Sequence, residues 1–126
     1  MKVSKSVEKI EDFLKKYESA FDIPDKKATF LLGVLTKFLL DVQFATRKST
    51  PPFRSKLYGL RLDESKLKRL FPEIVEKLEE YDVSYPQLQE YVSKTLIEAE
   101  SIGWRLSKDE ISYYFALGLN FGGAFK

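Results

Sequence analysis

The chain contains no cysteine and no histidine. Without cysteine there is no disulfide, no thiolate nucleophile and no sulfur ligand for zinc or an iron–sulfur cluster. Without histidine it lacks the commonest general base near neutral pH and the commonest transition-metal ligand. Catalysis would fall to carboxylate, lysine, tyrosine or hydroxyl groups, a poor set for an enzyme, and the expectation is a protein with no catalytic residues, no metal and no cofactor. Targeting signals are also missing. The first residues alternate lysine and glutamate with apolar side chains and show neither the apolar run nor the cleavage site of a signal peptide. The longest apolar region, residues 28–45, carries Lys37 and Asp41 and barely reaches bilayer length. Charges there would cost several kcal/mol in lipid, so a buried core helix is expected rather than a membrane span. These features point to a cytoplasmic protein without a membrane or small-molecule partner.

What is present suits a folded domain. Of 126 residues, 44% are apolar, enough for a core, while 32% are charged against a usual value of about 25%. One domain over 1–126 is expected, able to bury roughly two-thirds of its unfolded surface without metal or disulfide.

Helical periodicity dominates. Val3, Val7, Ile10, Leu14, Tyr17 and Phe21 recur every three or four residues, the stripe of an amphipathic helix. Asp22-Ile23-Pro24-Asp25 breaks it, and Asp25 is a candidate cap for the next helix. Residues 25–47 are apolar on almost every side, which marks a central, enclosed helix. Ser49-Thr50-Pro51-Pro52 ends it. Asp63 reads as the N-cap of a helix with apolar positions Leu67, Leu70, Phe71, Ile74, Val75, Leu78 and Tyr81, in which Pro72 predicts a kink or two abutting helices. Pro86 opens a further helix, with Leu88, Tyr91, Val92, Leu96, Ala99 and Ile102 facing inward and Gly103 as its C-cap. Ser107-Lys108-Asp109-Glu110 is a capping box, and the last helix stops at Asn120-Phe121-Gly122-Gly123. No strand alternation persists. The predicted architecture is all-α, a single compact bundle of five to six helices.

Charge is distributed unevenly. Residues 47–70 carry a net +6 and residues 71–100 a net −6, with +1 on either side. The basic stretch holds Arg47, Lys48, Arg54, Lys56, Arg61, Lys66, Lys68 and Arg69, with Phe53 and Tyr58 interleaved. Cations for phosphates beside rings for base stacking are the means by which sequence-indifferent single-strand binders work. The competing reading is a solvated face whose cations pair with carboxylates of residues 73–82. Three enzyme-like or metal-like patterns are weaker. Glu64-Ser65-Lys66 resembles the acid-x-Lys element of some metal-dependent nucleases, but that element needs a strand and this one lies at a helix start. Gly118-Leu119-Asn120-Phe121-Gly122-Gly123 ends a helix, whereas phosphate cradles open one. Glu79, Glu80 and Asp82 read as solvated carboxylates. Among the aromatics, Tyr113, Tyr114, Phe115, Phe121 and Phe125 are expected in the core, and any surplus left exposed would mark a docking surface.

Three stretches carry a family resemblance: Phe30-Leu31-Leu32-Gly33-Val34-Leu35, Pro52-Phe53-Arg54-Ser55-Lys56-Leu57-Tyr58-Gly59-Leu60-Arg61-Leu62, and Leu106-Ser107-Lys108-Asp109-Glu110-Ile111-Ser112-Tyr113-Tyr114-Phe115-Ala116-Leu117-Gly118-Leu119. In this order they resemble the C-terminal region of the type I-B CRISPR Cascade large subunit, the Csh family, over roughly residues 28–120. Such a subunit is far longer than this chain, which starts with its own Met. Its C-terminal helical region is also made separately as the Cascade small subunit, and an excised domain of the large subunit describes the chain equally well. The resemblance implies a non-catalytic bundle that packs against copies of itself and other Cascade subunits. It also implies phosphate contacts to single-stranded DNA and to crRNA, stabilising the R-loop in antiviral defence. Arg54 and Lys56 lie within the matching segment, and the other basic residues rest on charge clustering. The alternative is an assembly module that never touches nucleic acid.

Overall fold

The computed structural model describes residues 5–47 and 62–125, apart from the side chains of Thr46 and Arg47. Five α-helices form an all-α bundle: α1 (Lys5–Lys16), α2 (Pro24–Arg47), α3 (Glu64–Glu80), α4 (Pro86–Ile102) and α5 (Lys108–Phe121), followed by a 3₁₀ turn, Gly122–Phe125. No strand occurs among the described residues.

α2 is the central element, in contact with α3, α4, α5 and the 3₁₀ turn. Its Ala28, Phe30, Leu31, Leu32, Val34, Leu35, Phe38 and Leu39 are fully enclosed. Thr29 and Thr36 are enclosed too, and each hydroxyl donates to the carbonyl four residues back, Asp25 O and Leu32 O, at 2.7 Å. That bond satisfies the buried hydroxyl without a tertiary partner. By length and composition residues 24–45 could cross a membrane, yet most of that stretch is buried inside the bundle. α3 and α4 cover α2 with one buried stripe each, Leu67, Leu70, Ile74 and Leu78 from α3 and Leu88, Val92 and Ala99 from α4, while α1 packs on α4 and the 3₁₀ turn and buries Val7, Ile10 and Leu14.

The helix ends follow local chemistry. Asp63 caps α3 by accepting from Lys66 N–H at 2.9 Å. Ser107 and Glu110 form the full capping box of α5, with Glu110 N–H to Ser107 Oγ at 3.2 Å and Ser107 N–H to Glu110 Oε1 at 3.1 Å. Gly103, at φ 99°, closes α4 with its N–H on Ala99 O. The α3 end is a Schellman turn in which Val83 N–H reaches Leu78 O and Asp82 N–H reaches Glu79 O. Asp82 holds the left-handed position there at φ 55°.

Four sequence expectations are corrected. Asp25 does not cap α2. Pro24 takes the first helical position, where its missing N–H costs nothing, and the Asp25 carboxylate turns instead to the backbone of Arg105. Pro72 does not split α3; one helix runs through it. Pro72 faces solvent, and the buried stripe on the opposite side holds the helix together. Ile102 is 52% exposed rather than inward, because it lies in the last turn of α4 beyond its neighbours' reach. Tyr17 falls past the end of α1 and is 44% exposed. The proline break at 49–52 and the connector 53–61 lie outside the described residues, as does Val3.

Candidate nucleic-acid interface

Glycine sets the geometry of the site. A Cβ on Gly118 would lie 2.2 Å from Phe30 O and 2.8 Å from Gly33 Cα, and one on Gly33 would lie 2.3 Å from Phe115 O. Only two glycines let the backbones of α2 and α5 cross this closely. The contacts also fix direction. Away from the crossing point itself, Asp25 meets Arg105, Lys26 meets Tyr114 and Lys37 meets Gly122, so residue numbers rise together and the two helices run parallel. Their N-terminal ends therefore lie at the same end of the bundle. There the Arg105 N–H donates to Asp25 Oδ2 at 2.7 Å, with Asp25 only 1% exposed.

The start of α3 joins this end. Asp63 has its carboxyl held below the usual range, first by the backbone hydrogen bond from Lys66 and then by the charges of Lys66, Lys108 and Arg69. The charges of Lys66 and Arg69 on α3 and of Lys108 on α5 thus act on one carboxylate. Helix N-termini carry free N–H groups and the positive end of the dipole, and their first turns also hold Asp25, Glu64, Asp109 and Glu110, so this pole carries charges of both signs.

Of the eight sequence-predicted cations, the structure describes three side chains, all in the first turns of α3. Lys66 and Arg69 are three residues apart, on one face, and belong to the pole. Arg69 is exposed and its Nε donates to Ser65 O at 3.4 Å. Lys68 turns the other way. It pairs with Glu64 at 3.6 Å and with Glu100 of α4, and its pKa is raised chiefly by the Glu100 hydrogen bond. These partners lie outside residues 73–82. Lys48, Arg54, Lys56 and Arg61 lie outside the described residues, and Arg47 ends α2 with its side chain undescribed. Lys108 is not among the cations expected at the site. Its place in the capping box is legible locally, but its effect on Asp63 acts between α5 and α3.

Glu64 and Lys66 sit in the first turn of α3, not on a strand. Among the described residues no group of three acidic, histidine or cysteine side chains is placed to hold a metal. The glycine-rich end of α5 closes that helix and runs into the 3₁₀ turn.

A second surface feature is aromatic. Tyr114, Phe115 and Phe125 are buried, but Tyr113 is 59% and Phe121 43% exposed. Phe13 is the hub of the cluster: it stacks on Phe30 at 5.3 Å and lies within 6.2 Å of Tyr17, Phe21, Phe121 and Phe125. Between the end of α1 and α5 these rings leave a groove of about 300 Å³.

The family model of the CRISPR-associated protein TM1802 C-terminal domain matches residues 1–126. No curated protein matches the chain, and no solved structure does.

Proposed function

The chain belongs to the family of the CRISPR-associated protein TM1802 C-terminal domain, and on that premise we propose that it is a non-catalytic, strand-holding module of a type I CRISPR surveillance complex. It acts as the Cascade small subunit or as the C-terminal domain of the Csh-type large subunit, in the cytoplasm. Its ligand is the phosphate backbone of single-stranded DNA, with crRNA as a second strand. Its protein partners are other Cascade subunits and copies of itself.

The observation that carries this reading is the basic run of residues 47–70. This stretch has a net charge of +6 and includes Lys66 and Arg69, whose charges act on Asp63 together with that of Lys108 from α5. Each phosphate contact releases condensed counterions, so affinity depends on salt and hardly on sequence. Arg47, Lys48, Arg54, Lys56 and Arg61 supply further contacts in this reading, while Lys68, held by two carboxylates, contributes least.

A second reading has its own support. Ile97 and Ile102 are exposed on α4, beside a shallow depression lined by Lys68, Leu96, Ile97, Glu100 and Ser101. An assembly module would use such a face against another protein and bind no nucleic acid.

Fluorescence anisotropy of labelled single-stranded DNA at rising salt separates the two. About four phosphate contacts give a log–log slope near −3. The combined Arg47, Lys48, Arg54 and Lys56→Glu variant and a Lys66, Arg69 and Lys108→Glu variant, both checked for folding by circular dichroism, should lose binding. Absence of salt-sensitive binding at low ionic strength, with charge variants that still assemble working complexes, would sink the strand-holding reading and leave the assembly role.

A further inference from the structure

The aromatic groove has a chemistry that the pole does not use. Phe13, Tyr17 and Phe21 line it from the first half of the chain, and Tyr113, Tyr114 and Phe121 from α5. The Tyr114 hydroxyl is committed, donating to Ala20 O at 2.9 Å. What the lining offers is therefore ring faces. A cation stands over a ring on each side: Lys16 Nζ is 5.5 Å from the Tyr17 centroid, and Lys26 Nζ 5.8 Å from that of Tyr114. Lys26 also pairs with Asp22 at 2.8 Å, whereas Lys16 is exposed and has no ion pair among the described residues.

An occupant that matches both features is aromatic and carries negative charge at its ends. A stretch of apolar peptide would use the rings but give the Lys16 ammonium no counter-charge and Lys26 none beyond Asp22. A single nucleotide unit of a strand uses both, because every base has a stackable face and phosphates flank it. The groove also adjoins the pole. Lys26 lies in the first turn of α2, next to the Asp25–Arg105 contact, and its charge reaches Glu110 at the start of α5. A strand crossing the pole meets the groove at Lys26.

We infer that this groove takes one unpaired base of a single-stranded nucleic acid, stacked on Tyr17 and Tyr113, with the flanking phosphates on Lys16 and Lys26. The inference rests on the strand-holding reading above and adds a base-binding site to it. A base within a duplex stays stacked on its neighbours, so the groove selects single strands over duplex without reading sequence.

The test uses a single-stranded oligonucleotide with one internal 2-aminopurine and a terminal fluorophore. Anisotropy reports attachment of the strand, and 2-aminopurine emission reports stacking of the base. Wild type should quench the emission. A Tyr17→Ala, Tyr113→Ala double variant should remove the quenching and weaken binding about five- to a hundredfold. The corresponding double Phe variant, which keeps both rings, should behave as wild type. Both tyrosines are exposed, and a thermal melt checks that the fold is kept. Lys16→Gln with Lys26→Gln should make the salt slope shallower by about 1.4. Strand attachment with unquenched emission and unchanged affinity in the Ala variant would overturn the groove while leaving strand binding in place. No attachment at all would overturn both. Ala variants whose only change is loss of self-association in sedimentation would assign the groove to a second copy of the chain and overturn the base site.

Discussion

Replacing Gly118 by alanine should destabilise the protein, although local helix preference predicts the opposite. Gly118 lies inside α5, and alanine is favoured over glycine there by about 1 kcal/mol. Against this gain stands the crossing with α2. The new methyl group would lie 2.2 Å from Phe30 O and 2.8 Å from both Gly33 Cα and Val34 N. All three obstacles are on the opposing helix backbone, so no side chain can rotate away. Restoring ordinary contact moves the helices apart by roughly 1 Å, which forfeits up to half of the dispersion attraction along the crossing. Overpacking of this kind costs about 1–3 kcal/mol, sometimes more. A rigid obstacle belongs at the upper end, leaving a net loss of about 2 kcal/mol and a fall in Tm of about 6–10 °C for a chain of this size. Urea denaturation and thermal melts followed by circular dichroism measure both. Gly123→Ala is the control, because its Cβ meets only the tip of Lys37, at 3.8 Å, and it should change stability by less than about 0.5 kcal/mol. If Gly118→Ala equalled or exceeded the wild type in stability, the tight parallel crossing, and with it the shared position of the α2 and α5 N-termini, would be refuted.

Three further outcomes can be checked in the same assays. Asp25→Ala leaves the buried side of the Arg105 N–H without its acceptor and should cost about 1–3 kcal/mol, with Asp25→Asn, which keeps an oxygen, costing less. Stability should fall on acidification. Asp63, Glu110, Asp22 and Glu100 all have folded-state pKa values below their ordinary ones, through backbone hydrogen bonds from Lys66 and Ser107 at the first two and through Lys26 and Lys68 at the others. Their contribution is complete above the unfolded-state pKa and is lost as pH drops through the lowered values, so Tm should decline below about pH 4. Asp63→Asn combined with Glu110→Gln should flatten that decline, and an unchanged acid limb would contradict it. Pro72→Ala restores an N–H in the exposed middle of α3 and should raise stability, by about 1–3 kcal/mol in a urea titration; a loss would show that Pro72 makes a packing contribution larger than its helix cost.

The helices are legible in the sequence because their signals are local. The proline at position 86, glycine at 103 and the Ser107–Glu110 box each act within a few residues, and each stands in the structure where the pattern places it. Sequence and structure part where a local signal competes with a tertiary one. Asp25 has the chemistry of a cap, yet its carboxylate is taken by a backbone amide 80 residues away. Ile102 continues the apolar stripe of α4, but inwardness depends on what packs opposite. Gly118 reads locally as part of a helix end, and its role at the crossing with Gly33 is invisible without the partner helix.

The same division runs through the site. Composition and charge order by themselves determined an all-α chain without cysteine or histidine chemistry and with a basic stretch before an acidic one, because these depend only on which residues are present and how they are spaced. Tertiary structure alone decided which cations share a surface. It brought the charge of Lys108 to bear on Asp63 beside those of Lys66 and Arg69, and drew Lys68 away to Glu64 and Glu100. It also brought Tyr17 and Tyr113 to one groove. Electrostatic and stacking energies depend on distance, and distances between helices are set by core packing, here by two glycines that let α2 and α5 touch backbone to backbone.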